Sequence, residues 1–130
     1  MAAKIWNTQA TNRAQRLQQA RQTLGTSLAG KVVQAADAVR LLSATIASGD
    51  RVCLEGNNQK QADFLAKTLT QLNPAQIHDL HMVQSVLALP EHLDLFELGI
   101  ASKLDFSFSG PQAARLARLV AAGQIRIGAI

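Results

Sequence analysis

The chain has 130 residues, 48% of them apolar and 17% charged, and a net charge of +4. This composition fits one globular domain with a modest core and excludes a disordered chain. No apolar run is long enough to cross a bilayer, and Met1-Ala2-Ala3-Lys4 leads into polar residues instead of a signal-peptide core. With Cys53 as its single cysteine the chain has no internal disulfide framework, and a cytoplasmic location is expected.

Residues 1–30 read as a basic leader, helical or partly ordered. Lys4, Arg13, Arg16, Arg21 and Lys31 stand with no acid before residue 32, whereas residues 32–130 hold eight basic and nine acidic side chains. A basic stretch is only the electrostatic part of a nucleic-acid footprint, and this one lacks interleaved aromatics beyond Trp6, so no nucleic-acid partner is expected. Residues 8–24 favour helix, with Ala14, Leu17, Ala20 and Leu24 as a thin apolar stripe. The leader is expected to lie along the main body or a partner subunit, anchored near Ile5 and Trp6. The stretch from Gly25 to Gly30 then breaks the helix.

A helix follows at about 37–48, capped by Asp37, with Val39, Leu42 and Ile46 on one face. Residues 51–55 form a short strand, apolar on both faces as in a parallel sheet covered by helices; Cys53 reads there as a small buried hydrophobe. Helical period returns over 59–72, with Ala62, Leu65, Ala66 and Leu69 inward and an Asp63–Lys67 pair outside. Residues 77–83 are the second strand and 91–100 a short helix opened by Pro90. Leu104, Phe106 and Phe108 alternate as a third strand, and a helix runs from Ser109-Gly110-Pro111 to about 122. Its buried face is expected at Ala113, Leu116, Ala117 and Val120. Residues 125–130 are a last strand. Strand and helix alternating in this way predict crossover units and an open, mostly parallel α/β sheet with flanking helices over residues 31–130. The sequence stops inside an apolar strand, so an incomplete domain is expected.

Ligands of open parallel sheets bind beyond the carboxyl ends of the strands, which selects the turns at 55–59, 84–90 and 107–112. In the first, Gly56 permits a tight bend and Asn57 or Asn58 can cap the next helix, whose free N–H groups suit an anion. The residues leave two readings open, a capped structural turn or the lip of a ligand site. The Ser109-Gly110-Pro111-Gln112 turn has the same anatomy. Neither turn has the spacing of a phosphate-binding motif. Glu55 ends a strand without an identifiable catalytic partner, and Asp105, set among apolar neighbours, reads as a hydrogen-bonded structural acid. His78, His81 and His92 lack the spacing of metal ligands, and Ser107 and Ser109 lack evident His and Asp partners, so no metal and no catalytic triad are assigned.

The segments LEGNNQKQADFLAK, IHDLHMV, PEHLDLFELGIASKLDFSFSGPQ and RIGAI together resemble the amino-terminal part of the malonate decarboxylase alpha subunit family, from about Lys31 to Ile130. The resemblance implies a fold like that of coenzyme A transferases. It also implies exchange on a carrier-protein thioester: acetyl-carrier protein plus malonate gives malonyl-carrier protein plus acetate. The partners it implies are the acyl carrier protein and the decarboxylase subunits. The dephospho-coenzyme-A-derived prosthetic group belongs to the carrier, and no cofactor is expected on this chain. Related transferases attack the thioester with a glutamate carried by a later part of the protein, so Glu55 is not assigned that role and the chain alone is expected to be inactive. Gly56, Asn57, Asn58, Gln59, Ser109, Gly110 and Gln112 become the candidate substrate-binding residues. The alternative is a non-catalytic assembly module; a sugar-phosphate isomerase-like domain would require a clearer phosphate cradle than Gly-Asn-Asn provides.

Overall fold

The computed structural model describes residues 2–25, 31–57 and 59–128, with side chains from residue 8 onward. Ile5, Trp6, Asn58 and the last two residues of the predicted 125–130 strand therefore lie outside what is described of side chains or backbone. The chain divides into two compact units, Met1–Ala47 and Ser48–Ile130.

In the first unit, α1 (Ala2–Leu24) begins earlier than its composition predicts and packs against α2 (Ala38–Thr45). Only part of the predicted stripe is used: Ala20 and Leu24 are buried, but Leu17 is 53% exposed. Asp37 does not cap α2. Its carboxylate instead accepts a bond from Arg40 Nη1 at 3.2 Å, while Arg40 Nη2 donates to the Thr23 carbonyl at 3.3 Å and ties the helices together. The helix ends at Thr45, short of residue 48. The Ser43 and Thr45 hydroxyls bond back to the Val39 and Leu41 carbonyls, a habit that weakens helices.

The second unit alternates β1 (Arg51–Leu54), α3 (Asp63–Leu69), β2 (Leu80–Val86), α4 (Glu91–Glu97), β3 (Ala101–Phe108), α5 (Ala113–Ala121) and β4 (Arg126–Ile127). All pairings are parallel, in the order β1-β2-β3-β4. The α/β sheet predicted from sequence is thus present. It is singly wound: every crossover steps to the next strand in the same direction. With one crossover hand throughout, all connecting helices fall on one face. Accordingly α3 packs on α4 and α4 on α5 in a single layer.

That layer meets Leu80 and Met82 of β2 and Leu104 of β3, all fully buried together with Leu93, Leu95 and Ile100. Burial of such side chains contributes roughly 1.5–3 kcal/mol each. The alternate residues form an open second face. Arg51 pairs in register with His81, His81 with Lys103 and Lys103 with Arg126; one step on lie Cys53, Val83 and Asp105. Cys53 is exposed because it faces this open side, contrary to its apolar neighbours' suggestion of burial.

Other boundaries moved for local reasons. β2 starts at Leu80 because residues 73–77 close a turn, with Gln76 and Ile77 N–H groups bonding the Asn73 carbonyl, and Asp79 then takes a left-handed conformation at φ 56°. α3 starts at Asp63 because the bonds of Asn57 to Gln59, Lys60 and Gln61 hold those residues in an arrangement of their own. Ala66 and Leu69 are buried as predicted, but Leu65 is 44% exposed and Ala62 half-buried. Asp63 and Lys67 form no ion pair among the described residues, as two solvated side chains gain little from one. On α5 the buried residues are Leu116 and Leu119, whereas Ala113, Ala117 and Val120 are exposed. Arg115 sets that rotation by reaching from α5 to Asp94 at 2.5 Å, Glu97 at 2.9 Å and the Pro90 carbonyl at 3.0 Å on α4.

Candidate functional site

At the carboxyl end of β1 the chain doubles back on itself. Gly56 and Gln61 form an isolated antiparallel bridge, and the Asn57 N–H donates to the Lys60 carbonyl at 2.7 Å. The Asn57 side chain fixes the interior of this loop, its Oδ1 accepting from the Gln59 and Lys60 N–H groups at 2.8 Å each. This is the side-chain turn for which asparagine is suited. Gln61 Nε2 donates to the Asn57 carbonyl and closes the ring. A Cβ at Gly56, whose φ is not positive, would stand 2.5 Å from Gln61 Oε1, so glycine leaves room for the Gln61 side chain to close the ring. Glu55, Gln59, Lys60, Gln61 and Ala62 line a cavity of about 520 Å³ beside the loop.

The loop differs from the sequence reading in one respect that matters chemically. Asn57 caps the loop and not the helix: α3 begins after Ala62 with no side-chain cap, and Asp63 places an acid in its first turn. A short helix opening on a carboxylate repels an anion, so the expected anion cradle at this helix start is withdrawn. The cavity is instead lined by a cation, Lys60, and a carboxylate, Glu55, together with Gln59, Gln61 and Ala62. Neither Lys60 nor Glu55 has an ion-pair partner among the described residues. Sequence reasoning passed over Lys60 and Gln61; the only signal for them was the dense polar run from Asn57 to Gln61.

Ser109, Gly110 and Gln112 lie at the same end of the sheet, after β3. Gly110 adopts φ 52°, and a Cβ there would also touch Val86 Cγ1 at 3.5 Å. The Gln112 N–H bonds the Ser109 carbonyl at 3.2 Å, closing a single 3₁₀ turn, but the Ser109 side chain makes no capping bond. Because β2 runs between β1 and β3, the two turns are two strand spacings apart, about 10 Å. None of Ser109, Gly110 and Gln112 borders the cavity beside Gly56. Between the turns, after β2, His92 is buried with its Nδ1 accepting from the Leu89 N–H at 3.4 Å. Burial pushes its pKa below the ordinary imidazole value, only partly countered by Glu91.

On the open face, His81 Nε2 donates to Asp105 Oδ2 at 2.8 Å, and Arg51 Nε donates to His81 Nδ1 at 3.3 Å. In this arrangement Nδ1 is the acceptor and Nε2 the donor. Asp105 is therefore the hydrogen-bonded structural acid that its apolar neighbours suggested, although its partner lies 24 residues away and was not foreseen. Its second oxygen, Oδ1, is buried and without a hydrogen-bond partner among the described residues. Gly128 packs so closely that a Cβ there would overlap this oxygen. Cys53, Val83, Gln84, Ser85, Asp105 and Ser107 enclose a second cavity of about 190 Å³. Among the described residues no group of three or more His, Cys, Asp or Glu side chains is placed to hold a metal ion, and no helix is long and apolar enough to cross a membrane.

The acetyl-S-ACP:malonate ACP transferase of Malonomonas rubra is 46% identical over 127 residues, covering 98% of this chain. Its solved relatives include the malonate decarboxylase alpha subunit of Acinetobacter baumannii, with a TM-score of 0.87 at 47% identity over 96% of the chain. A Pseudomonas malonate decarboxylase hetero-tetramer in complex with malonate contains a chain that matches with a TM-score of 0.83 at 52% identity over 94%. The chain spans 22% of the length of each of these relatives. The sequence profile described as malonate decarboxylase, alpha subunit, transporter matches residues 5–130, and the chain belongs to that family.

Proposed function

We propose that this chain supplies the amino-terminal segment of an acetyl-S-ACP:malonate ACP transferase, the subunit that exchanges acetate for malonate on a carrier-protein thioester. The observation that carries this reading is the 46% identity to a transferase of that name over nearly the whole chain. Within the segment, Gly56, Asn57, Asn58 and Gln59 form one wall of the substrate site, and Ser109, Gly110 and Gln112 extend it along the strand ends. Lys60 and the Gln59 side chain suit a carboxylate-bearing substrate, because an exposed cation beside a hydrogen-bond donor stabilises an anion without burying charge. The thioester and its prosthetic group arrive on the acyl carrier protein. The decarboxylase subunits complete a cytoplasmic complex, and the attacking glutamate comes from the rest of the protein.

The test is a graft in which this chain replaces the matched 127 residues of the Malonomonas rubra protein. Grafted protein is expected to transfer malonate onto acetyl-carrier protein, and Gln59→Ala within it to slow transfer at least tenfold with unchanged thermal stability. The isolated 130-residue chain is expected to show no turnover. A folded graft without transfer, or turnover by the isolated chain, overturns the reading. A graft that assembles with its partner subunits yet transfers nothing favours the assembly-module alternative, for which the exposed Phe64, Leu98 and Phe108 provide contact surface.

A further inference from the structure

The loop after β1 spends its own hydrogen-bond donors on itself. The Asn57 N–H goes to the Lys60 carbonyl, and the Gln59 and Lys60 N–H groups go to Asn57 Oδ1. The Gln61 side-chain amide goes to the Asn57 carbonyl and the Ala62 N–H to the Glu55 carbonyl. On the wall of the cavity of about 520 Å³, this leaves the Gln59 amide and the Lys60 ammonium as the side-chain donors not tied up in the loop. Lys60 is the one cation of that wall. It is exposed, and no ion pair with Glu55 or any other described residue neutralises it. Asn57 Oδ1 holds the N–H groups of residues 59 and 60 at 2.8 Å each, so the lysine stem starts from a fixed backbone.

The exchange proposed above has a feature that such a cation can read. One malonate carboxylate loses an oxygen and becomes the thioester carbonyl, while the acetyl group gains an oxygen and leaves as acetate. The carrier sulfur passes from one carbonyl carbon to the other, and the total charge of the acids and acyl groups is unchanged. The second malonate carboxylate takes no part, so it carries its charge from substrate through to product. Acetate entering in the reverse direction has no such group. We propose that Lys60 is a specificity-determining residue: its ammonium holds the carboxylate that does not react and so selects a dicarboxylate over a monocarboxylate. This rests on the reading of the loop as one wall of the substrate site. Because the paired charge is neither made nor lost, Lys60 decides which acid enters and leaves the bond changes to other groups.

The test measures kcat/KM for two incoming acids in the Malonomonas rubra graft, labelled malonate and labelled acetate, each exchanged onto acetyl-carrier protein. The ratio of malonate to acetate is the readout, since damage to folding or to the reacting centre lowers both rates and leaves their ratio alone. Lys60→Met is expected to lower the ratio by about tenfold or more, the scale of one hydrogen bond to a charged group. Lys60→Arg, which keeps the charge, is expected to restore most of it. An unchanged ratio in Lys60→Met, or a ratio that Lys60→Arg lowers as far, overturns the proposal. Gln59→Ala measured alongside separates the two readings. Slowed transfer in Gln59→Ala with an unchanged Lys60→Met ratio sinks this inference alone, whereas normal transfer of both acids in both variants sinks the wall itself. Should the graft not fold, reductive methylation of Lys60 in the 130-residue chain is followed by mass spectrometry of its peptide. Malonate is expected to slow it by about threefold more than acetate does at equal ionic strength, the scale of an exposed ion pair. Equal slowing by the two acids overturns the proposal.

Discussion

Gly56→Ala tests the loop after β1 because its cost to folding and its cost to a ligand site are expected to differ widely. A Cβ at this position stands 2.5 Å from Gln61 Oε1, while the next atoms, Gln61 Cδ and the Lys60 carbonyl oxygen, are at 3.4 and 3.6 Å. The obstruction is thus the tip of a flexible side chain, about 1 Å inside ordinary contact distance. Gln61 swings away and gives up its bond to the Asn57 carbonyl, a loss of about 1 kcal/mol. Gly56 does not use a positive φ, so alanine also removes freedom from the unfolded chain and returns roughly 0.4–1 kcal/mol. The two nearly cancel, and the melting temperature of the chain is expected to move by less than about 5 °C. A displacement of about 1 Å in a substrate-positioning group, by contrast, can slow turnover by about a hundredfold. Transfer by the Gly56→Ala graft is therefore expected to fall by between one and two orders of magnitude while its melting curve barely shifts. In a Gln61→Ala background the clash is absent, and Gly56→Ala becomes mildly stabilising. Unchanged transfer, or an equal stability cost of Gly56→Ala in both backgrounds, refutes the reasoning.

Two further expectations concern the helical layer. His92 binds its proton less readily in the folded chain than an ordinary imidazole, whose pKa is about 6.5, so the unfolded state holds more protons below that pH. Stability is then fully present above about pH 6.5 and declines as the pH falls from there toward the lowered folded value. Melting temperatures between pH 7.5 and 5.5 are expected to drop for the parent and to flatten in His92→Gln, and identical slopes would contradict this. Arg115→Met removes the fork that holds Asp94, Glu97 and the Pro90 carbonyl, and is expected to cost about 1–2 kcal/mol in denaturant melts, discounted for the exposure of both acids. Arg115→Lys restores little of it, because a point charge cannot satisfy three acceptors in a fixed geometry; full rescue by lysine would show that charge alone matters there.

The order of strands and helices was legible because glycine, proline and asparagine separate segments of distinct period. What escaped was set by contacts distant in sequence. The sequence Ile77-His78-Asp79 looks like the start of a strand, yet Ile77 is buried from a turn and Asp79 takes a left-handed backbone conformation before β2 begins. Cys53 lies between Val52 and Leu54 and still faces outward, because the direction of the crossovers, not the local pattern, decides which face is covered. The place of the candidate loop was readable from its Gly and Asn residues at a strand end. Its wiring was not: Asn57 turning inward onto Gln59 and Lys60 is a local option that competes with helix capping, and both satisfy the same residue preferences. The His81–Asp105 pair depends on the register of β2 against β3, which no single segment encodes.

The strand order also bears on how the segment is made. In a sheet ordered β1-β2-β3-β4, each strand docks on the one synthesised just before it, so none must wait for a partner still inside the ribosome. Sequence neighbours become spatial neighbours, which keeps loop closures short and favours rapid folding. The sheet can therefore grow at one edge in the order of translation, with its helical layer thickening in step.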